Sequence, residues 1–238
     1  LTTNGYFLAA QARALKQAGL HRVTVSLDSL DEATFHKMNG RSHAPGQVLD
    51  GIRMAADLGL APIKINVDVQ RGLNDAGILD LARHFRGTGH ILRFIEFMDV
   101  GNVNHWKIDD VVPADEIISR INAVFPLEPT GANYRGEVAL RYRYRDGGGE
   151  IGFIASVTRP FCSDCTRARL STDGRLYTCL FGTVGTDLKG PMRSGASDEE
   201  LVGLITDTWR RRGDRYSDER ATRTGTLAPK IEMYQIGG

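Results

Sequence analysis

Cys162, Cys165 and Cys179 are the residues of this sequence best equipped for chemistry, and the sequence contains no other cysteine. Their spacing is C-x2-C-x13-C. Two thiols separated by two residues can grip one metal centre from a tight turn. The third follows a segment long enough for a short hairpin, with Asp173-Gly174 as its turn signal. Arg167 and Arg169 stand between the cysteines, and on an extended strand both project to the same face. Thiolates flanked by two guanidinium groups point to a metal centre beside an anionic ligand, because the guanidinium fork matches phosphate geometry.

Several chemistries compete for these thiols. A disulfide uses two and leaves one over, in a sequence with no sign of secretion. Inert buried thiols are common singly, but the paired spacing argues against that fate. Structural zinc takes four closed ligands, usually Cys or His, and no histidine follows His105. An iron–sulfur cluster accepts thiolates equally well. With three cysteines one iron keeps an open coordination position, which beside two arginines can hold a substrate. This last reading is favoured, with zinc as its main rival.

The elements that must position these groups follow from composition and periodicity. The sequence has 238 residues, 41% hydrophobic and 25% charged, an ordinary globular composition with room for more than one domain. A net charge of +1 removes any global electrostatic drive toward nucleic acid or membrane. Arg210-Arg211-Arg212 reads as solvated cations at a helix C-terminus. There is no run of 18 apolar residues and no signal peptide, so a cytoplasmic location is expected. Leu1-Thr2-Thr3-Asn4-Gly5 lacks an initiating Met and reads as a strand end running into a turn, as in a fragment that begins mid-fold.

Helix patterns at 8–18, 32–38 (capped by Asp31), 46–58, 75–85 and 113–124 alternate with strand patterns at 22–27, 63–69 and 91–97. That alternation predicts βαβ units and a parallel sheet or barrel. Three strands after the opening turn, with a fourth expected ahead of Leu1, are too few for a complete barrel. From 137 onward the character changes: a hairpin at 137–155 turned by Asp146-Gly147-Gly148-Gly149, the cysteine segment with two short strands, and a helix at 198–211 capped by Ser197. A boundary near Pro126–Asn133 divides the chain into 1–128 and 129–238.

Ligands of parallel α/β folds sit at the carboxyl ends of the strands. Those ends carry Thr3 and Asn4; Ser26, Asp28 and Ser29; Asn66 and Asp68; and Glu96, Met98 and Asp99. Met98 by itself reads as ordinary core. Period-2 spacing puts Lys64 on one strand face with Asn66 and Asp68, opposite Ile63, Ile65 and Val67. Lys64 occupies either an exposed strand position or a polar barrel interior, where its ammonium needs an anionic partner.

Taken together, Leu-Thr-Thr-Asn-Gly at 1–5, Val-Ser-Leu-Asp-Ser at 25–29, Ile-Lys-Ile-Asn at 63–66, Phe-Ile-Glu-Phe-Met at 94–98, the cysteine cluster with its Thr-Arg-Ala-Arg, and the terminal Gly-Gly resemble the GTP 3′,8-cyclase family of molybdenum-cofactor biosynthesis. These are radical S-adenosylmethionine enzymes. The resemblance implies an α/β fold, an incomplete radical-SAM (β/α) TIM-like barrel followed by a C-terminal iron–sulfur cluster domain with antiparallel strands. In that family one 4Fe–4S cluster cleaves S-adenosylmethionine to a radical that takes a hydrogen from C3′ of GTP, after which C3′ joins C8. A second 4Fe–4S cluster binds the guanine through its open iron.

Carried over residue by residue, the resemblance makes Cys162, Cys165 and Cys179 ligands of the C-terminal cluster. It assigns Thr3, Lys64, Arg167, Ala168 and Arg169 to GTP, and Ser26 and Met98 to S-adenosylmethionine. Gly237 and Gly238 match a tail that reaches into the active site, where bare backbone can enter a filled cavity. No catalytic residue is assigned. An electron donor and a homodimer are also implied, with no nucleic acid and no membrane as partner. The departure is the family's C-x3-C-x2-C motif, which is absent here. With the short count of strands, it corresponds to about three β/α units of roughly 30 residues each. The chain alone is therefore expected to be inactive. Another radical enzyme with an auxiliary cluster, or a zinc-binding interaction module, is the alternative.

Overall fold

The computed structural model describes residues 1–40, 44–102, 104–220 and 231–236, with only the backbone at Tyr234. Contacts divide the chain into two units, Leu1–Phe97 with Ile108–Arg159, and Met98–Lys107 with Pro160–Gly238.

The first unit begins as the periodicity predicts. It runs β1 (Thr2–Thr3), α1 (Leu8–Gln17), β2 (Val23–Ser26), α2 (Glu32–Asn39), α3 (Pro45–Asp57), β3 (Ile63–Val69), α4 (Ile78–Phe85), β4 (Ile91–Glu96) and α5 (Ala114–Asn122). Local chemistry sets several ends. The Asp31 side chain accepts a 2.8 Å hydrogen bond from Thr34 N, and Gly40 closes α2 at φ 62°, a left-handed position that glycine takes without strain. Pro45 opens α3, where its missing N–H has no intrahelical partner to lose. The helix expected from Asp75 opens as a 3-10 turn at Asp75–Gly77 before α4.

After α5 come β5 (Leu127–Thr130), β6 (Leu140–Tyr144) and β7 (Glu150–Ile154). The sheet order is β1-β2-β3-β4-β7-β6-β5, parallel from β1 through β7 and antiparallel from β7 to β5. The boundary read near Pro126–Asn133 therefore does not coincide with the division of contacts. That stretch forms β5, the edge strand, and β7 continues the parallel sheet beside β4. An edge strand tolerates Pro129 because one side of its backbone lacks a partner strand.

Val25, Ile65, Val67, Phe94, Ile151 and Phe153 form one buried row with apolar residues of the helices, among them Ala12, Ile52, Leu81 and Ile117. Each fully buried large apolar side chain contributes about 1.5–3 kcal/mol. On the opposite face Ser26, Lys64, Asn66 and Arg93 stay half-buried and Asp68 accessible, beside buried Ile95, Gly152 and Ile154, and the polar members form the polar face described below.

The second unit carries β8 (Arg169–Leu170), β9 (Arg175–Tyr177) and β10 (Thr186–Asp187) in a three-stranded antiparallel sheet. It is followed by α6 (Lys189–Arg193), α7 (Asp198–Arg210) and α8 (Tyr216–Glu219). Ser197 opens α7 with a reciprocal capping box to Glu200, at 3.2 and 2.7 Å. Asp99 accepts from Tyr216 Oη at 2.5 Å and from Arg220 Nε at 2.9 Å, while Phe181 stacks on Tyr216 at 4.2 Å. This knot joins residues 98–107, the segment after Cys179 and α8 within the unit. Among the described residues no helix is long and apolar enough to cross a membrane.

Candidate functional site

The first place where chemistry collects is the polar face of the large sheet. Strand register pairs Thr24 with Lys64, Ser26 with Asn66, Asn66 with Arg93, and Arg93 with Gly152, so Ser26, Lys64, Asn66 and Arg93 share one face. The period-2 reading of β3 holds: Ile63, Ile65 and Val67 are buried and Lys64, Asn66 and Asp68 are not. Burial, and then the nearby Arg93 charge, hold the Lys64 ammonium below its ordinary pKa. Burial also depresses Arg93, whose Nε donates to Asn66 Oδ1 at 2.9 Å.

Among the described residues no carboxylate pairs with Lys64 or Arg93. Glu150 lies on the neighbouring strand, but Arg141 already grips it with two bonds at 2.9 and 2.6 Å. Glu137 and Glu150 act on both cations through their charge alone, without touching them, so two half-buried cations that no carboxylate contacts are suited to receive an anion. Gly152 makes room for one of them, because a Cβ there would lie 3.2 Å from Arg93 Cγ. Arg93 was not singled out from the sequence. Its signal is the same alternation that exposed Lys64, since Arg93 falls between Leu92 and Phe94, both buried.

The other assigned residues of this unit stand differently. Thr3 pairs in register with Val25, in the core row, and its hydroxyl accepts from Gly5 N at 3.1 Å. Glu96, at a strand end, is 1% exposed and fully engaged inside the protein. Its Oε1 accepts from Ala114 N at 2.8 Å and from the Thr158 hydroxyl. Its Oε2 accepts from Val157 N at 2.7 Å and Thr158 N at 2.8 Å. Asp28 and Asp68 form a coupled pair at the ends of β2 and β3, where Asp68 N donates to Asp28 Oδ1 at 2.9 Å. Burial raises both carboxyls, and the charge of Asp28 raises Asp68 further. Asp68 keeps accessible surface. Asn74 ties the two strand ends, donating to the Asp28 and Asp68 carbonyls at 2.9 and 2.8 Å.

The second place is the cysteine segment. Cys162–Asp164 forms a single 3-10 turn, with Cys165 N donating to Cys162 O at 3.3 Å. The expected hairpin follows: Gly174 turns it at φ 82°, and Ser171 N donates to Arg175 O at 2.9 Å. All three thiols are free and half-buried. Cys165 and Cys179 each receive an N–H from the residue two positions on, Arg167 and Phe181 respectively. Burial opposes ionisation of Cys165, but the Arg167 N–H groups, including Nε at 3.4 Å from Sγ, and the charges of Arg167 and Arg212 outweigh it and lower its pKa. Burial raises Cys179, with Asp214 and Cys162 adding to the effect.

Arg167 lies over the Phe161 ring at 5.1 Å and Ala168 is exposed. Arg169 is half-buried on β8; burial and then Arg167 lower its pKa, while Cys179 and Cys165 oppose them. Met98 belongs to this unit, its carbonyl accepting from Asn104 Nδ2 at 2.8 Å. Gly237 and Gly238 lie outside the described residues.

The donor set suits an iron–sulfur cluster. N–H groups aimed at sulfur favour the thiolate form. Among the described residues no three of His, Cys, Asp or Glu gather closely enough to hold a single metal ion.

Residues 1–85 match the family described as Radical SAM superfamily, and residues 90–218 match the family described as Molybdenum Cofactor Synthesis C. A GTP 3′,8-cyclase of Xanthomonas axonopodis pv. citri is 52% identical over 238 residues, covering 100% of this chain and 70% of the relative. One from Acidothermus cellulolyticus is 53% identical over 225 residues, 93% of this chain and 62% of the relative. One from Staphylococcus carnosus is 46% identical over 241 residues, 100% and 71%.

Proposed function

The chain belongs to the GTP 3′,8-cyclase family of radical SAM enzymes, and on that premise we propose that its reaction is the conversion of GTP to (8S)-3′,8-cyclo-7,8-dihydroguanosine 5′-triphosphate in molybdenum-cofactor biosynthesis. The large sheet is then part of a TIM-like radical-SAM barrel, and the cysteine-bearing unit is a C-terminal cluster domain. When bound, a 4Fe–4S cluster with S-adenosylmethionine would supply the radical chemistry at C3′ of GTP.

The residues of this chain hold and orient. Lys64 and Arg93 take phosphate oxygens, and Asn66 keeps the Arg93 guanidinium aimed along the polar face. Cys162, Cys165 and Cys179 would hold the C-terminal 4Fe–4S cluster, which would supply a Lewis-acidic contact to the guanine. Arg167 and Arg169 neutralise negative charge beside it. Ser26 and Met98 are assigned to S-adenosylmethionine, Thr3 and Ala168 to GTP, and the Gly237-Gly238 end to closing the site. A homodimer and an electron donor complete the proposal. Because C-x3-C-x2-C is absent from the sequence, this polypeptide alone is proposed not to form 5′-deoxyadenosine under reducing conditions.

The observation that carries the substrate class is the pair of cations on the polar face, half-buried and without carboxylate partners. The test is anaerobic reconstitution with iron and sulfide, followed by electron paramagnetic resonance of the reduced protein with GTP or ATP. About four irons per chain and a spectrum shifted by GTP but not ATP support the reading. One zinc per chain with no iron overturns it in favour of an interaction module.

A further inference from the structure

Arg212 departs from the expectation set by its neighbours. Arg210 and Arg211 are exposed, as cations at the end of α7 should be. The Arg212 side chain is only 12% exposed and lies over the Trp209 ring at 4.9 Å. Its Nη1 donates to the carbonyl of Cys165. Its Nε stands 3.4 Å from Asp214 Oδ2 but is buried without a hydrogen-bond partner among the described residues. The same Oδ2 of Asp214 accepts from the Thr178 hydroxyl at 2.5 Å. Thr178 directly precedes Cys179. One guanidinium therefore connects the backbone of one cysteine to the neighbour of another, across a hairpin that separates them in sequence.

We propose that Arg212, Asp214 and Thr178 form a clip that fixes the separation of Cys165 from Cys179 and keeps a permanent positive charge beside the cluster they hold. Arg212 is thus a positioning residue; the inference rests on reading the three cysteines as cluster ligands. Neither lysine nor glutamine can reproduce it. Lysine keeps the charge but lacks the planar fork that reaches Cys165 and Asp214 together, and glutamine keeps a donor without the charge. A cation near an iron–sulfur cluster favours the reduced, more negative state, so its removal makes reduction harder.

The test needs no substrate. The protein and its variants are reconstituted anaerobically with iron and sulfide, and three quantities are read: iron and sulfide per chain, the rate of iron loss to a chelator, and the midpoint potential. Arg212→Gln is expected to shift the oxidised-to-reduced ratio about tenfold, which is about 59 mV more negative for one electron. Arg212→Lys and Thr178→Val are expected to lose iron several-fold faster while keeping the potential near the parent value. Arg211→Gln, at the exposed neighbour, should change none of these. Arg212→Gln and Thr178→Val that match the parent in both iron loss and potential, while the parent holds four irons, overturn the clip and leave the cluster reading intact. A parent that takes up no iron or sulfide defeats the cluster reading itself.

Discussion

Glu96 separates a structural role from a ligand-binding one. It lies at the end of β4, where a polar side chain in a parallel sheet often faces a ligand, yet both of its oxygens are occupied within the first unit. In Glu96→Gln one oxygen becomes an NH2 group. If that group takes the Oε2 position, it faces the N–H groups of Val157 and Thr158 and leaves two buried donors unpaired. If it takes the Oε1 position, the Thr158 hydroxyl can rotate to accept, and only Ala114 N is stranded. An unpaired buried donor costs about 1–3 kcal/mol, and the side chain takes the orientation that strands only Ala114 N, so the substitution should cost about 1–3 kcal/mol. Against a total stability of about 5–15 kcal/mol this is a large loss. For a chain of this size it corresponds to a fall in Tm of roughly 2–12 °C. Thermal unfolding followed by circular dichroism measures it, and calorimetry with GTP measures binding at a temperature where the variant is folded. A variant within about 0.5 kcal/mol of the parent that has lost GTP binding would refute the reasoning and make Glu96 a ligand group.

Other substitutions probe the polar face and the acid pair. Lys64→Ala and Arg93→Ala should each weaken GTP binding about tenfold, or ~1.4 kcal/mol, and leave guanosine binding unchanged; equal losses for both ligands would mean the two cations do not meet phosphate. Gly152→Val should crowd the Arg93 stem and weaken GTP binding several-fold with no ligand contact of its own, as titration calorimetry would show. Asp28 and Asp68 have pKa values raised to about 6 and about 7, above the value of 3.8 for the unfolded chain. The folded protein therefore binds more protons than the unfolded one, and the associated stability is complete below about pH 4 and is lost as pH rises through 6 to 7. Asp68→Asn should accordingly gain stability over the parent at about pH 8 and show no gain at about pH 4; a difference independent of pH would refute the coupled pair.

Much of the scaffold was legible in the sequence because it depends on short-range rules. The alternation in Ile63–Val69 told which face Lys64 occupies, Asp31 and Ser197 announced their helices, and Asp173-Gly174 announced the hairpin between the cysteines. Cysteine spacing and the arginines between them marked, by residue type alone, the segment proposed to hold a cluster. Tertiary structure decided what depends on groups far apart in sequence. Leu127–Thr130, with a proline inside it, becomes a strand because β6 offers it an edge. Glu96 is a structural carboxylate because the N–H groups of residues 114, 157 and 158 converge on it. Arg212, one of three consecutive arginines, is drawn inward because Cys165, Asp214 and the Trp209 ring surround it. A side chain's type sets which partners it can accept. Whether those partners arrive depends on pairings that close long loops, which local periodicity does not encode.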